Sequence, residues 1–482
     1  MGAGIAQVAA AAGHRVLLVD TQPGVAANAK ARLAEVLAKL VEKNRLAAAE
    51  RDALLARIEP GESIAALASA SVVIEAIVEN LPAKQALFRE LEAVVAPGTV
   101  LATNTSSLSV SEIAGALARP ERFAGMHFFN PAPLMPLVEV VAGGRTSPAV
   151  VGTLTELAHA WGKTPVQAKD SPGFIVNRGA RPFYGEALRF AEETGVDAVT
   201  IDALLRAAGF RMGPLELIDL IGAEINLAAT RSVFAATGND ARYRPSRLVE
   251  ENVAAGRLGR KSGRGFYDYA RDAKLAPVVL PREPAPAAIV VHGDLGPAQA
   301  LVELWRRMGV AVERRESAGG CVEIDRVKVA LTDGRTAHER AAADGAVWAV
   351  FDLSLDYGAC RHLGLAATDD RSARIAAGLL QVTGTQVSRL PDVPGLLVAR
   401  TLAMLITEAA DIVLRGVASV HDVDLAMQKG LNFPGGPLGW ADKIGANYAV
   451  GLLDRLAVTD AARYGVNDLL RRAAQSGGKF HA

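Results

Sequence analysis

The 482-residue chain has little cysteine: only Cys321 and Cys360, with no Cys-x-x-Cys pair. That excludes a disulfide framework and a zinc site of the usual spacing, so no metal is expected. Neither sign of charge is in excess, with 52 Lys+Arg against 52 Asp+Glu, and the concentrated basic field that nucleic acid or a membrane surface attracts is missing. The one basic stretch, GRLGRKSGRGFYDY at 256–269, reads as a solvated loop. No apolar run approaches the ~18 to 20 residues that span a bilayer, and the N-terminus lacks the basic-then-apolar pattern of a secretory signal. A soluble, cytoplasmic protein that binds neither nucleic acid nor membrane is expected. The last absence is local. The chain opens MGAGIAQVAAAAGHRVLLVD, a glycine-rich helix start followed by a strand ending in Asp, yet no strand precedes the glycines.

What is present is an Ala- and Gly-rich globular composition, 50% hydrophobic with 46 glycines, long enough for about two to four domains. HRVLLVD (14–20), ASVVIEAI (70–77) and GTVLATNTSSL (98–108) read as buried parallel strands, and 26–46 as an amphipathic helix between the first two. This alternation predicts an α/β, Rossmann-like parallel sheet domain over 1–167, N-terminally incomplete. Mostly helical patterning follows over 168–272, then a proline-rich linker at 273–286. AAIVVHGD, VAVERRES and GAVWAVFDLSL predict a small, reduced α/β module over 287–388. A second helical domain over 389–482 is expected because the sequence repeats. PGFIVNR at 172–178 returns as PGLLVAR at 394–400, and Glu186 returns as Glu408, all at an offset of 222. The two helical copies are expected to pack on each other as an internal pseudo-dimer, with further homo-oligomerisation open.

Asp20 ends a strand after an apolar run, where a carboxylate can accept both hydroxyls of an adenosine ribose. The TQPG that follows supplies no Arg for a 2′-phosphate, so NAD is favoured over NADP. The stretch RFAGMHFFNPAPLMPLVEVV (122–141) places two strand-like pieces around Pro133. If the chain folds back antiparallel there, facing residues have numbers summing to 266, as His127 and Glu139 do. A carboxylate facing an imidazole fixes its tautomer and stabilises the imidazolium formed when it takes a proton. TNTSSLSV (103–110) follows an apolar strand at the end where doubly wound sheets bind ligands. One of its serines is expected to cap the next helix.

Through NTSSL, GMHFFNPAP, LVEVV and PGFIVNR the chain resembles the 3-hydroxyacyl-CoA dehydrogenase family. The whole layout is similar to its long bacterial members acting on 3-hydroxybutyryl-CoA, or on 3-hydroxyadipyl-CoA in phenylacetate breakdown. The resemblance implies NAD-dependent oxidation of an (S)-3-hydroxyacyl-CoA thioester to the 3-oxoacyl-CoA. It implies His127 as general base and Glu139 as its partner, with Ser106 and Asn177 at the substrate's 3-oxygen and Asn130 helping to hold the site. On the cofactor side it implies Gly2 and Gly4 at the glycine-rich loop, Asp20 at the ribose, and Glu79, Lys84 and Asn104 lining the NAD pocket. Gly2 aligns with the third glycine of the family's Gly-x-Gly-x-x-Gly loop, so the first strand and two glycines are missing. The expectation is that the natural product begins roughly ten to twenty residues upstream, room for one strand and its turn, and that the 482-residue form binds NAD weakly. Two other readings stay open: a non-catalytic NAD(H)- or acyl-CoA-binding homologue, and a dehydrogenase of a free hydroxy acid.

Overall fold

The computed structural model describes residues 1–270 and 275–481. The expected boundary at 272 and the first two residues of the linker lie outside the described residues. The chain forms two compact units, each discontinuous in sequence: Met1–Asn177 with Gly416–Leu431, and Arg178–Arg415 with Asn432–Ala482. Among the described residues no helix is long and apolar enough to cross a membrane.

In the first unit, β1 (Val16–Val19) pairs in parallel with β2 (Ile58–Gly61) and forms a sheet of two. A separate five-stranded sheet runs in the order β3 (Val72–Glu75), β4 (Val100–Thr103), β5 (Phe123–Phe128), β6 (Leu137–Ala142), β7 (Thr164–Lys169). Only β5 and β6 are antiparallel neighbours; the other pairs are parallel. β7 runs to Lys169, opposite Ala142, two residues past the expected boundary at 167.

Among the described residues no strand joins β1 to β3, so each keeps an unpaired edge. Helix α1 (Gly2–Ala11) holds the two sheets instead. Its Ile5 and Val8 enter the core of β4, β5 and β6. Its Ala6 and Ala10 pack with Leu33 and Leu37 of α2 (Val25–Glu42), Leu54 of α3 (Ala48–Ala56) and Ile58. Spacings of three and four residues put these two sets on two stripes of one helix. The remaining helices of this stretch are α4 (Leu81–Val94), α5 (Val110–Ala114), α6 (Pro148–Ala160) and the short α7 (Val176–Gly179). Ser109 caps α5 by accepting from the Glu112 N–H at 3.1 Å.

The second unit begins with α8 (Arg181–Thr194), α9 (Ala198–Ala207), α10 (Pro214–Ile221), α11 (Ala223–Ala236) and α12 (Arg247–Ala254). A seven-stranded sheet follows, built from β8 (Ala288–His292), β9 (Ala311–Arg315), β10 (Cys321–Ile324), β11 (Val327–Leu331), β12 (Val347–Phe351), β13 (His362–Ala367) and β14 (Gln386–Arg389). Its order is β14-β13-β12-β11-β10-β8-β9. α13 (Ala300–Arg307), α14 (Ala337–Asp344) and α15 (Asp370–Gln381) are its helices. The repeated helices are α16 (Val398–Leu414), α17 (Val420–Leu431), which belongs to the first unit, α18 (Pro437–Ile444), α19 (Ala446–Ala457), α20 (Ala461–Tyr464) and α21 (Asp468–Ser476).

Within this unit α8 and α16 pack together, and their charges are exchanged reciprocally. Arg178 Nε lies 2.6 Å from Glu408, and Arg400 Nε lies 2.9 Å from Glu186. Tyr243 donates to Glu408 at 2.7 Å and Tyr464 donates to Glu186 at 3.0 Å. Each glutamate is fully buried, and each is held by the arginine and tyrosine that the repeat assigns to the opposite copy. Phe183 and Phe210 meet Phe433 and Trp440 beside them. Equivalent helices are exchanged as well: α9 lies on β13 in the second unit, whereas α17 lies on β6 and β7 in the first. A Cβ on Gly430 would stand 2.8 Å from Leu137, so α17 approaches that sheet as closely as a glycine allows.

Candidate active site

β5 and β6 pair with His127 opposite Glu139, the register given by numbers summing to 266. His127 Nδ1 is 2.7 Å from Glu139 Oε2. An ionised carboxylate only accepts, so Nδ1 carries a proton, and in the neutral imidazole Nε2 keeps its lone pair. His127 is 5% exposed, and Glu139 is fully buried. Phe129 and Phe174 flank the imidazole, with ring centroids 4.5 and 6.0 Å away. The other glutamate oxygen is equally committed: it accepts the N–H groups of Ile175 at 3.1 Å and Val176 at 2.9 Å. One carboxylate thus orients the histidine and anchors the segment that carries Asn177.

Asn177 Nδ2 donates to the Ser106 carbonyl at 3.1 Å. The Ser106 hydroxyl has no partner among the described residues, and its N–H donates to Glu79 at 3.0 Å. Glu79 is the hub of this loop: Oε1 also accepts from Thr105 Oγ1 at 2.5 Å and from the N–H and hydroxyl of Ser107 at 3.1 and 2.9 Å. Burial opposes its ionisation, but the hydrogen bond from Thr105, the charge of Lys84 and the remaining donors outweigh it and hold the Glu79 carboxyl below the usual carboxylate range. Lys84 is 1% exposed, with Nζ 2.6 Å from Glu75 and 3.3 Å from Glu79. Asn104 Oδ1 accepts the Phe128 N–H at 2.8 Å, tying the end of β4 to the end of β5. Asn130 is exposed and precedes the cis Asn130–Pro131 bond. His127, Glu139, Ser106 and Asn177 are therefore linked around one end of the sheet, while among the described residues Asn130 makes no hydrogen bond to them.

Two organising residues were not expected. Glu75 accepts from Lys84 and, at 2.7 Å, from Thr103 Oγ1, fixing the strand end from which the serine loop leaves. Lys163 is 9% exposed, and its ammonium donates to the carbonyls of Ala132 at 2.6 Å and Met135 at 2.9 Å, bracing the turn between β5 and β6. Burial pushes its pKa down.

For a dinucleotide, Asp20 follows β1 and is half-buried, with Oδ1 accepting the Gln22 N–H at 2.9 Å. Its second oxygen has no partner among the described residues. Gly2 and Gly4 lie in the first turn of α1, which no side chain caps, so its leading N–H groups remain for an anion. A Cβ on Gly4 would already touch Ala132 and Pro133 at 3.4 Å, which makes this the tight position of the helix. These residues fit a ribose and a pyrophosphate.

The second copy reuses the anchor without the base. β12 and β13 are antiparallel, and the Asp352 N–H donates to Gly364 at 2.9 Å. Val166 opposite Glu139 and Ser388 opposite Gly364 stand at the same distance along the chain from Ile175 and Leu397. Asp352 thus takes the place of His127, and Gly364 that of Glu139. The buried Asp352 carboxylate accepts the N–H groups of Leu397, Val398 and Ala399 at 3.0, 2.7 and 2.9 Å. The turns it and Glu139 hold have the same backbone: Phe174 and Leu396 sit at φ +48° and +50°. A non-glycine residue there costs roughly 1–3 kcal/mol and persists only when the surroundings over-determine it.

The family model for the NAD binding domain of 3-hydroxyacyl-CoA dehydrogenase matches residues 1–171. That for its C-terminal domain matches 173–269 and again 395–479. The reduced Rossmann-fold domain of 3-hydroxybutyryl-CoA dehydrogenase matches 329–394. The 3-hydroxyadipyl-CoA dehydrogenase of Escherichia coli (strain K12) is 42% identical over 458 residues, 95% of this chain and 91% of that protein. Human mitochondrial hydroxyacyl-coenzyme A dehydrogenase is 41% identical over 276 residues, 56% of this chain and 88% of its own. The crystal structure of 3-hydroxybutyryl-CoA dehydrogenase from Escherichia coli K12 superposes with a TM-score of 0.90 at 42% identity, covering 99% of this chain and 97% of that one. The chain belongs to the 3-hydroxyacyl-CoA dehydrogenase family.

Proposed function

We propose that the chain oxidises an (S)-3-hydroxyacyl-CoA, either 3-hydroxybutyryl-CoA or 3-hydroxyadipyl-CoA, to the 3-oxoacyl-CoA with NAD. The observation that carries this is the buried His127–Glu139 pair, with Nδ1 held by the carboxylate, linked to the Ser106 and Asn177 segments. The chemistry supplied by the bound nicotinamide is acceptance of the C3 hydride. His127 Nε2 takes the proton of the 3-hydroxyl as the C3–H bond breaks, and Glu139 stabilises the imidazolium through Nδ1–H. The Ser106 hydroxyl and the Asn177 amide orient the 3-oxygen, and Asp20 with the first turn of α1 binds the adenosine half of NAD. In the reverse direction the imidazolium returns its proton to the oxygen. A panel of short- and medium-chain 3-hydroxyacyl-CoA thioesters, a dicarboxylic thioester and free 3-hydroxy acids, followed by NADH absorbance, tests the proposal: turnover is expected with thioesters alone.

A further inference from the structure

We propose that a pocket of about 430 Å³ between the C-terminal turn of α9 and the entry ends of β13 and β14 is a second ligand site, distinct from the His127 site, and that it takes a hydroxylated organic phosphate. Arg206, Arg361, His362, Gln386 and Asp356 stand on its walls, and the small side chains of Ala203 and Ala207 leave it its volume. That volume lies within the ~300–1,000 Å³ typical of small-molecule sites and exceeds what inorganic phosphate would fill.

The histidine defines what the ligand must offer. His362 is 5% exposed, and its Nε2 lies 2.8 Å from Ser388 Oγ, whose own proton is given to the Val278 carbonyl. A hydroxyl has one proton, so Ser388 accepts from His362, and the imidazole is the Nε2–H tautomer. Nδ1 is therefore an acceptor, and it has no partner among the described residues. Burial first, then the charge of Arg206, pushes the imidazole down to about 4; at neutral pH it stays an acceptor. A ligand hydroxyl that enters the pocket beside His362 can donate to Nδ1.

The arginines define the rest. Arg206 gives one nitrogen to Glu216 at 3.0 Å, and Arg361 gives one to the Gly358 carbonyl at 3.2 Å. Each keeps further donors. Asp356 Oδ1 is turned onto its own loop, accepting the N–H groups of Gly358 and Ala359 at 2.9 and 3.2 Å. Two guanidiniums arriving from different elements suit a phosphate, with three oxygens to share, better than the two oxygens of a carboxylate that one fork satisfies. This polar set is not inherited from the duplication. The positions corresponding to Arg206, Arg361 and His362 in the other half are Gln428, Pro136 and Leu137, none of which is charged or titratable.

The test is isothermal titration calorimetry on the full chain with NAD at saturation, so that the dinucleotide site is filled. Ribose 5-phosphate and adenosine 5′-monophosphate are the probes, with ribose and inorganic phosphate as controls. One-to-one binding of at least one organic phosphate is expected, with ribose silent and inorganic phosphate weaker; the stronger probe tells a sugar phosphate from a nucleotide. Arg361→Gln, at an exposed side chain that leaves the fold alone, should weaken binding about tenfold or more. Arg206→Gln should do the same, and the ¹⁵N resonance of His362 Nδ1 should shift when the probe is added. Absence of binding by both organic phosphates, or affinity unchanged in Arg361→Gln, overturns the proposal.

Discussion

Glu139 does two things at once, and substitutions separate them. His127→Ala removes the proton acceptor and is expected to lower kcat by about 10²- to 10⁴-fold while leaving NAD affinity nearly unchanged. Glu139→Gln retains an oxygen for Ile175 and Val176 but not the charge that stabilises imidazolium. It is expected to lower kcat by a few powers of ten at nearly wild-type stability, measured by steady-state kinetics beside urea unfolding. Full activity in either variant would remove the pair from the mechanism. Asp352, the corresponding carboxylate of the second copy, makes a prediction about pH. Burial pushes its pKa up to about 6 despite four backbone N–H donors. A carboxyl whose folded value lies above its unfolded value of about 3.9 binds protons more tightly in the fold. Its contribution is therefore most favourable below about pH 4 and declines as pH rises to about 6. The difference in urea midpoint between wild type and Asp352→Asn should change across that window and be constant above it.

At the scale of elements, the exchange of Glu186 and Glu408 between α8 and α16 is the interaction to break. Removing one member of a buried ion pair typically costs about 3–5 kcal/mol, because the partner is left charged and dry. Glu408→Leu takes the shared carboxylate from Arg178 and from Arg242, which lies 3.2 Å from it, and leaves them only Asp411 and Asp240. It should lower the urea-derived stability by that amount, and Glu186→Leu should act similarly through Arg400. Joint replacement of Glu408 and Arg178 should cost less than the sum of the single changes; strict additivity would mean the pair is not coupled. The sequence revealed the partners of this exchange only as a repeat. It disclosed the facing of His127 and Glu139 because two apolar strands flank one turn, so register follows from counting. It did not disclose Lys163 or Asp352, whose partners are carbonyls and N–H groups that leave no side-chain pattern, nor Glu75, whose partners Lys84 and Thr103 stand on other elements. Strands β10, β11, β13 and β14 were also hidden, since short runs such as CVEI and HLGLAA carry no decisive period. Mostly helical patterning and the repeat implied helical domains over 168–272 and 389–482, but neither tells which sheet a given helix covers.

At the scale of the molecule, duplication has turned one face of each helical copy toward the other. A chain ending after residue 270 keeps Arg178 and Glu186 but loses Glu408, Arg400 and Tyr464. A second such chain offers the same Arg178 and Glu186 in return, so sedimentation should find a dimer or larger species rather than a stable monomer. A well-folded monomer with no new apolar surface would show that the second copy is dispensable to the first.

The exchange of α9 and α17 also has a consequence in time. The chain passes between its units after Asn177, Arg415 and Leu431, and the helix that covers β6 and β7 is made of residues 420–431. During synthesis from the N-terminus, the strands bearing His127 and Glu139 emerge early, but their covering helix leaves the ribosome only when most of the chain has been made. Until then the apolar face formed by Leu137 and its neighbours waits uncovered, in competition with chaperones and with other nascent chains.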